Sequence, residues 1–156
     1  MAERVPAERP RGRFDAFRLA RDRDTLTGTV DAAELPRISD RILEGPAPLA
    51  WRIDGATDSQ GRPALSVTLD GQIELECQRC LQALEWPVHQ RTSLLLARDE
   101  ADMARLDADS DDEVVLAATP LDPAQLVEDE LVLTLPYAPR HPDGACAPPQ
   151  ETLSET

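Results

Sequence analysis

Two cysteines separated by two residues, Cys77 and Cys80, can offer two thiolates to one metal ion from a single turn. The chain has one further cysteine, Cys146, and two histidines, of which His141 lies just before it. Cys77, Cys80, His141 and Cys146 together have the ligand number and ligand types of a closed structural zinc site, and they use every thiol in the sequence. Two other readings of the pair compete with zinc. As small, partly buried residues at a tight turn, Cys77 and Cys80 need no metal. As a thioredoxin-like redox pair they should follow a strand and open a helix that lowers the thiol pKa, whereas Leu81 to Leu96 reads as strand.

The remaining chemistry-bearing residues are less concentrated. Glu128, Asp129 and Glu130 are consecutive on a helical segment and so point in different directions, which makes a solvated face and not an acid/base pair. The apolar residues beside them draw one face toward the core, and Glu130 is the acid expected to turn inward, onto Arg79 or the cysteine turn. Asp107, Asp109 and Asp111 have the spacing that opens a calcium loop. Asp112 stands where that loop needs glycine, and Ala118 where it needs a bidentate glutamate, so no calcium site is expected. His89 has no nucleophile or second histidine beside it and reads as a surface strand residue. No Gly-rich phosphate loop, Ser-His-Asp set or open metal site is visible, and no catalytic residue is assigned.

The elements that position these residues follow from composition and pattern. The length of 156 residues suits one domain. Residues 1–13 read as a flexible Arg-rich arm, 14–146 as the domain, and 147–156 as a disordered tail. Thr25 to Val30 is β-prone, and Leu35, Ile38, Ile42 and Leu43 recur at helical spacing, which predicts a short N-terminal helix there. From Leu49 to Leu96 apolar residues alternate, predicting three antiparallel strands, with a bulge at Gly71 and the cysteines at the turn between the second and third. Residues 99–113 hold eight acids against one arginine and read as a solvated loop outside the core. Val114 to Leu116 should form a short strand. Asp122, Pro123 and Gln125 signal the capped start of a helix from Ala124 to about Leu135, ended by Pro136 and Pro139. The fold class is α+β: an antiparallel meander with a short N-terminal helix and a C-terminal helix packed on the sheet.

Charge narrows the partners. The net charge of −14 divides into +3 over residues 1–23 and −17 over the rest. Such a body repels a phosphate backbone and attracts a basic protein. Contact with RNA would fall to Arg9, Arg11, Arg13, Arg18, Arg21 and Arg23. No segment is apolar over the roughly 20 residues a membrane span needs, and no secretory signal is present, so a cytoplasmic protein without a membrane partner is expected. All sixteen basic residues are arginine, a bias of GC-rich coding.

Three segments occur in a telling order: Glu76-Cys77-Gln78-Arg79-Cys80-Leu81, then Leu126 to Pro136 with Glu128 and Glu130, then Arg140 to Cys146. In this order and spacing the chain resembles the large ribosomal RNA subunit accumulation protein family, also called the YceD family, over about residues 14–146. Its motif residues here include Arg79, Leu81, Glu128, Glu130 and Pro136. The resemblance implies a bacterial accessory factor in the synthesis, processing or stability of 23S ribosomal RNA, and thus in ribosome biogenesis. Its partner would be a basic ribosomal or RNA-processing protein, or pre-ribosomal RNA, with no small-molecule substrate. The alternative is a zinc-binding or thiol-redox protein using the Cys-x-x-Cys pair.

Overall fold

Four segments that alternate apolar and polar residues become four consecutive strands. They are β1 (Thr25–Asp31), β2 (Pro48–Thr57), β3 (Pro63–Glu76) and β4 (Ala83–Ala97), each antiparallel to the one before it. The computed structural model describes residues 12–43, 45–142, 144 and 146. Arg9 and Arg11 of the arm, and the tail 147–156, lie outside the described residues. Register puts the apolar set on one face: Trp51 lies opposite Leu69, Ile73 opposite Trp86, and Leu75 opposite Leu84. Leu49, Ile53, Leu65 and Val67 on that face are fully buried, each contributing roughly 1.5–3 kcal/mol.

The C-terminal helix covers this face. It is α3 (Pro123–Thr134), and Asp122 caps it by accepting from Ala124 N–H. The expected capping box does not close, because the Gln125 amide donates to Asp129 instead. Leu126, Val127 and Leu131 point into the core. Phe14 and Leu121 exchange two backbone hydrogen bonds of 2.8 Å, tying the start of the domain to the start of α3.

Three local expectations are corrected. The short N-terminal helix exists, but as α1 (Ala16–Asp22), capped by Asp15 and closed by Arg23 in the left-handed region. The Leu35 to Leu43 segment is instead a 3-10 turn (Ala32–Glu34) followed by hydrogen-bonded turns. Ile38 N–H and Ser39 N–H share the Leu35 carbonyl, and Leu35 and Ile38 drop into the core as plugs. Residues 99–113 are not a loop. Asp99 caps α2 (Glu100–Asp109) by accepting from Asp102 N–H, and Leu106 packs with Ala64, Leu95 and Ala97 in a small second core on the opposite sheet face. Of the acids that suggested a loop, Glu100, Asp107 and Asp109 face water on this helix, Asp102 is buried, and Asp111, Asp112 and Glu113 follow it; Asp109 pairs with Arg62. Nor is there a bulge at Gly71. The ladder runs straight through it, and a Cβ there would stand 2.5 Å from Leu49 Cδ2, so close strand packing explains the glycine.

α2 also permits a change of direction. It is the crossover that a parallel strand requires, and β5 (Glu113–Leu116) pairs in parallel with β4, Leu95 opposite Val114. The sheet order is β1-β2-β3-β4-β5, antiparallel except at this last edge. Among the described residues no helix is long and apolar enough to cross a membrane.

Candidate metal centre

The site is built at the end of the β3–β4 hairpin. Cys77 N–H donates to the Gln82 carbonyl at 2.9 Å, prolonging the ladder, and Leu81 N–H closes the turn onto the Cys77 carbonyl at 2.8 Å. Closing it so tightly puts Leu81 at φ 63°, a left-handed conformation that glycine adopts more readily. Beyond α3, Pro136 and Pro139 prevent further helix and steer the chain back across the hairpin. Gln78 N–H donates to the Pro139 carbonyl at 2.8 Å, and this bond delivers the following residues to the cysteines.

The four expected ligands meet there. Cys77 Sγ lies 3.7 Å from Cys146 Sγ, and Cys80 Sγ lies 3.5 Å from His141 Nδ1. All four ligand atoms fall within 4.8 Å of one another. His141 Nε2 is 3.1 Å from the Ala83 carbonyl. As donor to that carbonyl, Nε2 carries the proton and leaves the Nδ1 lone pair toward the thiols, the outer-shell device that orients metal-binding histidines. Three sulfurs and one imidazole nitrogen at these separations can hold a metal ion.

The electrostatics suit a cation. Burial works against the Cys77 thiolate, but N–H groups of Cys80, His141 and Arg79 aim at the sulfur and bring the thiol down to about 5. Burial and the neighbouring sulfurs of Cys77 and Cys80 push Cys146 up to about 11. Ionising several thiols in one small volume is unfavourable without a cation among them, and a bound metal ion removes that repulsion.

The other expected residues are spread over the fold. Arg79 and Leu81 lie exposed on the cysteine turn, and Pro136 at the end of α3. Glu130 does turn inward, being 2% exposed, but onto Thr92 and Glu113 of β4 and β5 rather than Arg79 or the cysteine turn. Thr92 stands nine residues along β4 from Ala83, too far for both contacts. Glu128 is no solvated acid either. It is buried and accepts the Arg37 N–H at 2.8 Å, while Asp129 takes the Arg37 guanidinium. This clamp on the turns after β1 had no sequence signal, since 91 residues separate its partners. Nor could spacing reveal the Ala83 carbonyl or the Gln78–Pro139 bond, which are backbone groups. Arg13, Arg18, Arg21 and Arg23 lie exposed on or beside α1, where Arg21 pairs with Asp22 and Arg23 reaches the Thr57 hydroxyl. His89 is exposed beside Asp70.

No curated protein and no solved structure gives a significant match to the chain. The family model described as Large ribosomal RNA subunit accumulation protein YceD matches residues 65–155. That span covers more than half of the sequence, from within β3 to beyond Cys146, and contains all four converging ligands. With the hairpin, its cysteine turn and α3 all inside it, the chain belongs to the YceD family of large ribosomal RNA subunit accumulation proteins.

Proposed function

We propose that this protein is a cytoplasmic, non-catalytic accessory factor in the accumulation of 23S ribosomal RNA, built around one structural zinc ion and acting by binding a basic protein of the ribosome or of its processing machinery. The family match over residues 65–155 carries the first part of this reading. Convergence of Cys77, Cys80, His141 and Cys146 carries the second.

Zinc fits the donor set in chemistry and in size. Ligands about 2.3 Å (sulfur) and 2.0–2.1 Å (nitrogen) from a tetrahedral ion stand about 3.8 Å apart for two sulfurs and about 3.6 Å for sulfur and nitrogen. Two of the six separations here, Cys77–Cys146 and Cys80–His141, are 3.7 and 3.5 Å, and all lie within 4.8 Å. When bound, zinc supplies a cross-link between the hairpin and the segment after α3. Four protein ligands fill a tetrahedral sphere and leave no position for a reacting water, which favours a structural role over hydrolysis. A redox role is less well supported, because no helix begins at the Cys77–Cys80 turn.

The basic partner follows from the body's charge of −17, which disfavours RNA phosphates and attracts cationic protein. RNA contact through Arg13, Arg18, Arg21 and Arg23 is the subordinate reading. Deleting the gene tests the function: the ratio of large- to small-subunit ribosomal RNA should fall, and an unchanged ratio under several growth conditions would refute it. Metal analysis of untagged protein should find close to one zinc per chain, and under about a tenth of an equivalent would count against the centre.

A further inference from the structure

Sulfurs gathered closely enough to share a metal ion are also close enough to react with one another. All three cysteines are free thiols, Cys77 fully buried and Cys80 and Cys146 half-buried. Cys77 Sγ and Cys146 Sγ are in contact at 3.7 Å, whereas Cys80 Sγ lies against His141 Nδ1 at 3.5 Å. A disulfide holds its sulfurs at about 2.05 Å, so one of the segments that carry them must yield to form it.

Backbone hydrogen bonds set which segment yields. Cys77 and Cys80 stand on a turn pinned by Cys77 N–H to the Gln82 carbonyl and by Leu81 N–H to the Cys77 carbonyl, with Leu81 already in the left-handed region. Drawing Cys80 onto Cys77 distorts that turn. Beyond Pro139, no backbone-to-backbone hydrogen bond holds the described residues, so Cys146 can approach Cys77 without breaking one.

We propose that Cys77 and Cys146 form a reversible disulfide on exposure to peroxide, a second closed state of this centre that excludes the metal ion. The half-buried Cys146 thiol meets the oxidant first. Its sulfur keeps one peroxide oxygen as a sulfenic acid, and the other oxygen leaves as water. The Cys77 sulfur then attacks the Cys146 sulfur: the S–S bond forms, the S–O bond breaks, and the hydroxyl leaves as a second water with the Cys77 proton. Two electrons pass from the two sulfurs to one peroxide molecule. Where both sulfurs are metal-bound thiolates, solvent supplies the two protons they lack. Cys80 and His141 then remain, two donors where a closed zinc site needs four, and the ion departs. That departure rests on the zinc centre proposed above; the disulfide does not. The pair differs from a Cys-x-x-Cys couple, because Cys80 stays a thiol and the bond spans 69 residues. It ties the hairpin to the segment after α3, as the ion would.

The test uses the full chain, zinc-loaded and metal-free, treated with hydrogen peroxide, alkylated and digested with trypsin. Cleavage after Arg79 and Arg140 puts the three cysteines on three separate peptides. Both samples should give one linked pair, Cys77 with Cys146, and Cys80 recovered alkylated. The loaded sample should release about one zinc to a colorimetric indicator per bond formed. Dithiothreitol should restore three thiols and zinc binding. Chelator should lower the thermal midpoint of the reduced, loaded protein and leave that of the oxidised protein unchanged. Cys80→Ser keeps the pair and should still form the bond. The pairing is overturned if the main linked pair includes Cys80, if the bond joins two chains, or if the sulfurs pass to sulfinic acid without linking. It is equally overturned if metal-free protein keeps three free thiols. A chain that binds no zinc yet forms the bond sinks the zinc centre alone, and a chain that binds zinc yet forms no bond sinks the disulfide alone.

Discussion

Replacing Glu130 by glutamine should stabilise the protein, and only toward neutral and alkaline pH. Glu130 is 2% exposed on the core side of α3, with Thr92 within hydrogen-bond reach and Glu113 of β5 beside it. Burial, above all, and then the neighbouring Glu113 and Asp129 carboxylates push its carboxyl from 4.5 up to about 7. A carboxyl that holds its proton more tightly folded than unfolded contributes stability that is complete below about 4.5 and is lost as the pH rises through 7. At about 1.4 kcal/mol per pH unit, that interval is worth at most about 3 kcal/mol. Glutamine keeps an acceptor for Thr92, gains a donor for Glu113 and never ionises. Urea unfolding of both proteins at pH 4, 5, 6, 7 and 8 should therefore give a difference in free energy that is smallest at pH 4 and grows with pH, by up to about 3 kcal/mol at pH 8. A difference that is constant across this range, or a Glu130→Gln protein less stable than the parent at pH 8, would refute the reasoning.

Three further outcomes are expected. Chelation, or Cys77→Ser, should lower the thermal midpoint by roughly 4–8 °C or more, corresponding to a loss of about 2 kcal/mol, and chelator should have no further effect on the Cys77→Ser protein; a calorimetric scan decides it. Glu128→Ala leaves the Arg37 N–H without its acceptor and should cost about 1–3 kcal/mol, whereas Asp129→Ala, whose side chain is 45% exposed, should cost under about 1 kcal/mol in the same denaturation assay. Gly55→Ala places a Cβ 1.9 Å from the Leu19 carbonyl oxygen, so α1 must shift off β2, and a loss of about 2 kcal/mol or more should appear with faster hydrogen exchange in Ala16–Asp22.

The meander was legible because strands with one buried face show their period directly, from Leu49 through Leu96. The convergence of Cys77, Cys80, His141 and Cys146 was legible through residue type, since every thiol and one of the two histidines fall in the same motif-bearing segments. What failed was reading composition in place of pattern. The acids of residues 99–113 obscured Met103 and Leu106, three apart on one face, and Asp99 as a cap, which together specify α2. At Leu35, Ile38 and Ile42 the spacing was helical, but Pro36 and the Gly45-Pro46 stop leave too short a run, and successive turns bury the same side chains. Glu130 was read correctly as inward and wrongly as to partner, because the register of a helix on a sheet is set by tertiary packing. The parallel pairing of β5 depends on the α2 crossover, and so was lost along with it.

The separation of Cys77 from Cys146 by 69 residues bears on the order of folding. β1 to β4 join through neighbouring hairpins, whereas β4, α2, β5 and α3 all lie inside the loop that a metal ion would close. Local pairings form first, and contacts distant in sequence come late. A cross-link over such a span removes about 4 kcal/mol of chain entropy from the unfolded state when it is permanent. A metal captured at the end stabilises the finished protein without hastening its formation, so its effect falls on the unfolding rate. With a metal ion held by these four residues, the native state would open more slowly than without it.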